Sequence, residues 1–187
     1  LVPEAVLDDS ARAMLDGVFA FQQGPGHMLL EYMVPGQDES TAPGARRWNW
    51  IWYRKVAHGE ELERLMTDEQ GKRHSYSLPP GAVKESDYQA LCSDAKEMAA
   101  PTFQKLLEAT EEPFVQAILD LQVPQMVFNR VILTGDAAFV PRPHTAGSTA
   151  KAAANARLLA QELARSGEDI NAGLRRWESR SLKPAHR

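Results

Sequence analysis

Residues 47–56 read Arg-Trp-Asn-Trp-Ile-Trp-Tyr-Arg-Lys-Val, with Trp48, Trp50 and Trp52 on one parity and Asn49, Ile51 and Tyr53 on the other. A β-strand sends successive side chains to opposite faces, and aromatic residues fill its pleated surface well. A helix would scatter the three indoles around its axis. The segment therefore demands a strand with two distinct faces, and a strand needs partners. Upstream, residues 18–23 and 27–34 flank Gly24-Pro25-Gly26, a good hairpin connection. Downstream, residues 62–67 and 73–78 flank Asp68-Glu69-Gln70-Gly71 and predict a second hairpin. The expectation is a mainly antiparallel sheet of about four strands.

The second half changes character. Pro79-Pro80-Gly81 closes the sheet region, and residues 37–45 form a polar loop within it. Ser86 is placed to cap a helix over 87–99, and Pro101 to open another, to about Ala109. An apolar run over 114–121 ends near Pro124, and Asn129 marks a turn. Val131-Ile132-Leu133 reads as a short buried strand, and 135–147 as a loop containing Pro141 and Pro143. The alanine-rich stretch 148–165 predicts a helix closed by Gly167, and a last helix covers 169–181. From Arg165 onward basic residues outnumber acidic ones, as on a solvated helix face or a docking face.

Composition narrows the chemistry. At 187 residues the chain is one domain or one and a half. Its 43% hydrophobic and 25% charged residues exclude a disordered or collagen-like polymer. A net charge of −4 leaves no global nucleic-acid footprint. The single cysteine, Cys92, excludes a disulfide framework within the chain and a thiolate zinc site; it reads as a packed thiol. His27, His58, His74 and His186 are too dispersed to argue a metal site. No apolar run reaches the length of a membrane span, and the compartment expected is reducing and cytoplasmic. The opening Leu1-Val2-Pro3-Glu4 is not a secretory signal and has no initiator methionine, so part of a longer protein is expected.

The informative segment runs from Arg130 to Thr149. A β-run ends in Gly135-Asp136, continues through a proline-bearing loop, and enters a helix of small residues. Gly135 allows close backbone approach, and Asp136 offers carboxylate oxygens to sugar-type hydroxyls. Gly147, Ser148 and Thr149 present free N–H groups at a helix start, where an electron-rich oxygen is favoured. On spacing alone a plain structural turn is the better reading.

The longer string Gly135-Asp136-Ala137-Ala138-Phe139-Val140-Pro141-Arg142-Pro143-His144-Thr145-Ala146-Gly147 resembles the flavin-contacting motif of single-component FAD-dependent aromatic hydroxylases. It looks most like the 2,6-dihydroxypyridine 3-hydroxylase group. The run Arg46 to Arg54 and the Leu65-Met66-Thr67-Asp68…Gly71 segment also resemble that group's substrate-domain sheet. Phe139, where many relatives carry His, favours the pyridine-hydroxylase-like branch. The resemblance spans nearly the whole chain, as the C-terminal half of such an enzyme. It implies that Asp136 binds the ribityl chain of FAD, that 143–147 lies beside the isoalloxazine ring, and that the following helix start faces its pyrimidine edge. It also implies that NAD(P)H reduces the flavin, and that O2 forms a C4a-hydroperoxide which hydroxylates a small aromatic or pyridine.

Candidate site residues follow. Cofactor binding falls on Gly135, Asp136, Arg142, Pro143, Gly147, Ser148 and Thr149. The candidate catalytic residue is His144, which could bond the substrate's ionising hydroxyl. Substrate contacts fall on Asn49, Ile51, Tyr53 and Gln116; Gln116 and Asp120, four apart, are neighbours on a helix and share a face on a strand. Either the tryptophan parity or the Asn49 parity faces the cavity. No metal is expected. The only Gly-x-Gly is Gly24-Pro25-Gly26, with Leu29 where a Gly-x-Gly-x-x-Gly fingerprint needs its third glycine. By itself the chain is therefore expected to be inactive: a fragment, one subunit of a two-chain enzyme, or a degenerate protein. The expected fold is α+β. A substrate-sheet domain with packed helices covers 1–123, and the strand-loop-helix end of a Rossmann-like FAD domain, its N-terminal part absent, covers 124–187. Apolar surface left by the missing part should drive association with itself or with that half. A non-catalytic binding or oligomerisation module without flavin is the alternative function.

Overall fold

A computed structural model of the chain describes residues 1–142 and 147–182. The chain divides into two compact units, one over Leu1–Gln116 and one beginning at Ala117.

The first unit is built on β4 (Arg47–Arg54), the tryptophan strand. It pairs antiparallel with β3 (His27–Val34) on one side and with β1 (Val2–Pro3) on the other; β2 (Ala20–Gly24) closes the far edge, giving the order β1-β4-β3-β2. The β2–β3 hairpin turns at Gly26, whose φ of 74° lies where glycine is favoured. Register places Trp48 opposite Met33, Trp50 opposite Glu31 and Trp52 opposite Leu29. That parity packs into the core with Val2, Leu7, Leu15, Leu29, Ala95 and the apolar stripe Phe103, Leu106, Leu107. The stripe lies on α4 (Pro101–Glu108), whose buried positions recur at helical spacing after a proline start. Helix α1 (Asp9–Leu15) starts on the Asp8 side chain, which accepts from the Ala11 N–H at 3.0 Å, and helix α3 (Glu85–Met98) precedes α4.

Indole N–H groups must find acceptors when buried. Trp48 donates to the Glu4 carbonyl (3.2 Å), Trp50 to Thr110 Oγ1 (2.9 Å) and Trp52 to His27 Nδ1 (3.2 Å). Gln22, on the edge strand, locks the α3–α4 junction by donating to the Met98 carbonyl and accepting from the Ala100 N–H at 2.7 Å. Glu4 is buried but satisfied. The Arg46 guanidinium, and the Gly44 N–H at 2.7 Å, hold its carboxyl down at about 2.

Two sequence expectations are corrected. Residues 62–67 are not a strand. Glu60–Leu65 forms helix α2, favoured by Glu60, Glu61 and Glu63 in its first turn, and the predicted hairpin shrinks to one bridge between Thr67 and Arg73. The sheet's fourth strand is β1 instead. Asp68 holds the intervening turn, accepting from the Gln70 and Lys72 N–H groups (3.0 and 2.8 Å) and contacting His74 Nε2 at 2.7 Å. Ser86 does not cap α3; Lys84 occupies that position with no side-chain capping bond, and Ser86 lies inside the helix. β5 (Ser77–Leu78) pairs with β6 (Val115–Gln116), at the head of the apolar run over 114–121.

The second unit contains two short ladders. β7 (Leu121–Gln122) pairs with β10 (Phe139–Val140), and β8 (Val127–Phe128) pairs with β9 (Val131–Ile132) around Asn129, whose φ is 57°. The expected buried strand at 131–133 is corrected: Val131 is exposed, because its two-residue ladder meets only β8 among the described residues. Helices α5 (Ser148–Ser166) and α6 (Ile170–Ser181) follow, separated by Gly167 at φ 56°. The core is small: Met126, Ala138 and Trp177, flanked by Leu133, Leu158 and Leu159. Trp177 donates to the Asn155 carbonyl at 2.9 Å. Gly173 lets α6 approach α5, since a Cβ there would meet Ser166 Oγ at 2.5 Å. Basic residues near the C-terminus converge on Glu162, which Arg176 bonds at 3.0 Å and Arg180 at 2.5 Å.

Candidate functional site

The Gly135–Asp136 segment is a single 3₁₀ turn, Gly135–Ala137, closed by the Ala138 N–H on the Gly135 carbonyl at 3.1 Å. Its strand-side anchor is the Leu133 N–H on the Met126 carbonyl (2.8 Å), and its exit is fixed by the Val123 N–H on the Ala138 carbonyl (3.0 Å). Gly135 has φ 59°, so the turn itself favours glycine. A Cβ on Gly135 would sit 3.9 Å from Ala152 Cβ, which puts this turn against the start of α5. A small residue at 152 is what permits that approach. Asp136 is exposed and makes no hydrogen bond or ion pair with the described residues.

Gly147 stands at the N-cap of α5 without a side-chain cap, and its carbonyl takes the Lys151 N–H at 2.9 Å as the first intrahelical bond. The N–H groups of Ser148, Thr149 and Ala150 therefore have no acceptor within the helix. Beside them, Lys151 Nζ lies 4.1 Å from the centroid of the Phe139 ring. Burial holds the Lys151 ammonium below its ordinary pKa. The turn thus joins, in one place, a free carboxylate, a helix mouth with free amides and a cation stacked on an aromatic ring. This donor and acceptor set suits a ligand with hydroxyls and an electron-rich ring.

Not every expected residue joins it. Pro143 and His144 lie outside the described residues. Arg142 is exposed and bonds Asp120 at 2.9 Å, a partner the sequence did not suggest. Gln116 is exposed at the end of β6, while Asp120 lies between strands, so the two share no element. Asn49, Ile51 and Tyr53 sit half-buried on the sheet face opposite the tryptophans. Register aligns that face: Asn49 with Tyr32, Ile51 with the buried Leu30, Tyr53 with Met28. Burial, and then Tyr32, push the Tyr53 hydroxyl above its ordinary pKa. Phe19 stacks on Tyr32 at 5.2 Å. Lys151 escaped the sequence reading, although it is the only charged residue between Ser148 and Ala156.

Two surface depressions lie elsewhere. One of about 220 Å³ is lined by Val127, Asn129, Asn171, Leu174 and Arg175, and one of about 210 Å³ includes His58, Arg73 and His74. No cluster of metal-ligating side chains occurs among the described residues. Among them, too, no helix is long and apolar enough to cross a membrane.

Comparison with known proteins follows the same lines. The chain is 35% identical over 186 residues to the 2,6-dihydroxypyridine 3-monooxygenase of Paenarthrobacter nicotinovorans, which matches all of this chain and 45% of that protein. The structure of 2,6-dihydroxypyridine-3-hydroxylase from Arthrobacter nicotinovorans superposes with a TM-score of 0.83 at 31% identity, over 97% of this chain and 45% of that one. Klebsiella pneumoniae HpxO, complexed with FAD and uric acid, shares the fold at 21% identity and a TM-score of 0.56, over 94% and 38%. The chain therefore spans less than half the length of these relatives. A family model described as FAD binding domain-like matches residues 1–120, and the chain belongs to that family.

Proposed function

We propose that this chain is the part of an FAD-dependent monooxygenase that carries substrate-facing sheet residues and a flavin-contacting turn, and that the whole enzyme hydroxylates a small hydroxylated aromatic or pyridine. The observation that carries the reading is the unpaired Asp136 carboxylate on a turn packed against the open start of α5. Its support from comparison is the 35% identity across the full chain.

The residues present fit the cofactor by donor chemistry. Asp136 would accept hydrogen bonds from ribityl hydroxyls, and the Ser148, Thr149 and Ala150 amides would meet an electron-rich carbonyl edge. When bound, FAD supplies the redox and oxygen-activating chemistry, with NAD(P)H as reductant. Residues of this chain bind, orient and exclude water. Asn49 offers an amide to a ring substituent; Ile51 and Leu30 give an apolar wall; the Tyr53 hydroxyl, held protonated, donates a hydrogen bond. His144 and Gln116 are read as further substrate contacts. Residues 1–123 are read as the substrate domain and 124–187 as part of the cofactor domain.

The test is FAD titration of the gene product carrying this chain, followed by flavin fluorescence. Asp136→Ala is expected to weaken binding by about 1–3 kcal/mol, the loss of charge-assisted hydrogen bonds. A protein that binds FAD with undiminished affinity after that substitution removes Asp136 from the cofactor site. A wild-type protein that stays colourless with added FAD ends the monooxygenase reading.

A further inference from the structure

Lys151 occupies an unusual position for a lysine. Its stem lies in the first turns of α5, next to Ala152, which faces Gly135, and its ammonium rests over the Phe139 ring. It is half-buried, and among the described residues it has no carboxylate or carbonyl partner. A lysine ammonium is strongly hydrated and its stem is free to carry it to solvent. Withdrawing it without a counter-charge is unfavourable, and a ring quadrupole offsets that only in part. Nor does the helix explain it, since a cation near a helix N-terminus opposes the macrodipole. Three disfavoured features coincide at Lys151, on the helix start that packs against Gly135: partial desolvation, no counter-ion among the described residues, and the positive end of a helix. Such a charge is stabilised by an anionic ligand that closes the site.

We infer that Lys151, held in place by Phe139, is a charge-bearing ligand contact that favours negative charge on the bound cofactor ring. This rests on the flavin reading above and adds a side-chain cation to the helix amides. The role predicts selectivity rather than bulk affinity. Neutral oxidised FAD rings gain little from Lys151, whereas the two-electron-reduced anion gains directly.

The experiment measures the dissociation constant of oxidised FAD and the midpoint potential of the bound flavin. It compares wild type, Lys151→Met and Lys151→Arg in the gene product carrying this chain. Met keeps the stem and removes the charge; Arg keeps the charge. Lys151→Met is expected to bind oxidised FAD within about threefold of wild type, while its preference for reduced over oxidised flavin falls about tenfold, which is about 30 mV in a two-electron couple. Lys151→Arg should retain most of the wild-type potential. Equal potentials in wild type and Lys151→Met, with FAD bound by both, overturn the inference and leave the flavin reading standing. So does a drop of the same size in Lys151→Arg, which would mark a packing role. Failure of the wild type itself to bind FAD overturns both.

Discussion

Glu31 in the first unit and Glu162 in the second are both buried, and the two are treated in opposite ways. Glu31, 1% exposed, stands opposite Ala20 and Trp50 in the sheet, with neither carboxylate oxygen hydrogen-bonded. Burial alone pushes its pKa up to about 7. Glu162, 2% exposed, receives Arg176 and Arg180, with Arg165 at 3.4 Å, and its carboxyl lies below the ordinary range. The donors nearest in kind to Glu31 are already used, because the three sheet indoles point at Glu4, Thr110 and His27. A unit with a large apolar core can hold an acid by keeping it neutral. Among its described residues the second unit buries only Met126, Ala138, Leu174 and Trp177 as apolar residues, so its two helices lean on charge as well as on packing. The lesson is that burial by itself favours the neutral acid, and charged partners reverse that.

The hardest test of that contrast is Trp177→Ala. Trp177 is the largest side chain in the second unit's core cluster and is fully buried. Its truncation should cost about 3–5 kcal/mol. Amide exchange should rise across α5 and α6 and leave β3 and β4 protected. Retained protection in α5 and α6 would show that the Glu162 network holds the pair unaided, and the ranking of packing over charge there would be reversed.

Next in size is the pH response of Glu31. Its folded pKa is raised from 4.5 to about 7. In that window the folded state keeps a proton the unfolded chain has lost. Stability from this group is complete below about pH 4.5, declines as pH rises, and has fallen by on the order of 3 kcal/mol above about pH 7. Glu31→Met keeps the chain length and removes the titration. Urea unfolding near pH 5 and near pH 8 should show a decline in the wild type that the variant lacks, leaving the variant the more stable near pH 8. Glu162 has the opposite sign. Its depressed pKa contributes stability above the ordinary carboxylate range and loses it on acidification, so the acid limb should survive Glu31→Met. A wild-type stability that is flat from pH 5 to 8 would mean that Glu31 reaches water or a partner.

These contrasts explain what was legible in the sequence. β4 was, because one buried face forces alternation, and three indoles fix which residues share it. Helices α4 and α5 were, because Pro101 and Gly167 are local signals that need no tertiary partner. The strand expectation for 62–67 fails because Leu62, Leu65 and Met66 stand at i, i+3 and i+4, the helical spacing, and the acidic start at Glu60, Glu61 and Glu63 points the same way. Which β4 face meets the helices depends on α3 and α4, which lie far along the chain. At the candidate site the string from Gly135 to Gly147 drew attention to the turn, but its contact with Ala152 and the stacking of Lys151 on Phe139 are tertiary. Glu31 gave no signal, since an acid in a strand is ordinarily solvent-facing.

The smallest expected effect sharpens the account of the second unit. Asp169 caps α6, its carboxylate accepting from the Ala172 N–H at 2.9 Å, just after the chain reverses at Gly167. The side chain is exposed and otherwise touches neither Trp177 nor Glu162. Asp169→Ala should cost about 1 kcal/mol, the loss of one N-cap bond. The loss should appear in exchange of the first turn of α6, with the rest of the helix protected. If α6 is held from its middle by Trp177 and Glu162, removing its cap frays the end without releasing the helix. Should the whole helix open instead, with a cost approaching that of Trp177→Ala, the pair is nucleated from its connecting turn. The burial of Glu162 would then be a consequence of the α5–α6 pairing rather than a cause of it.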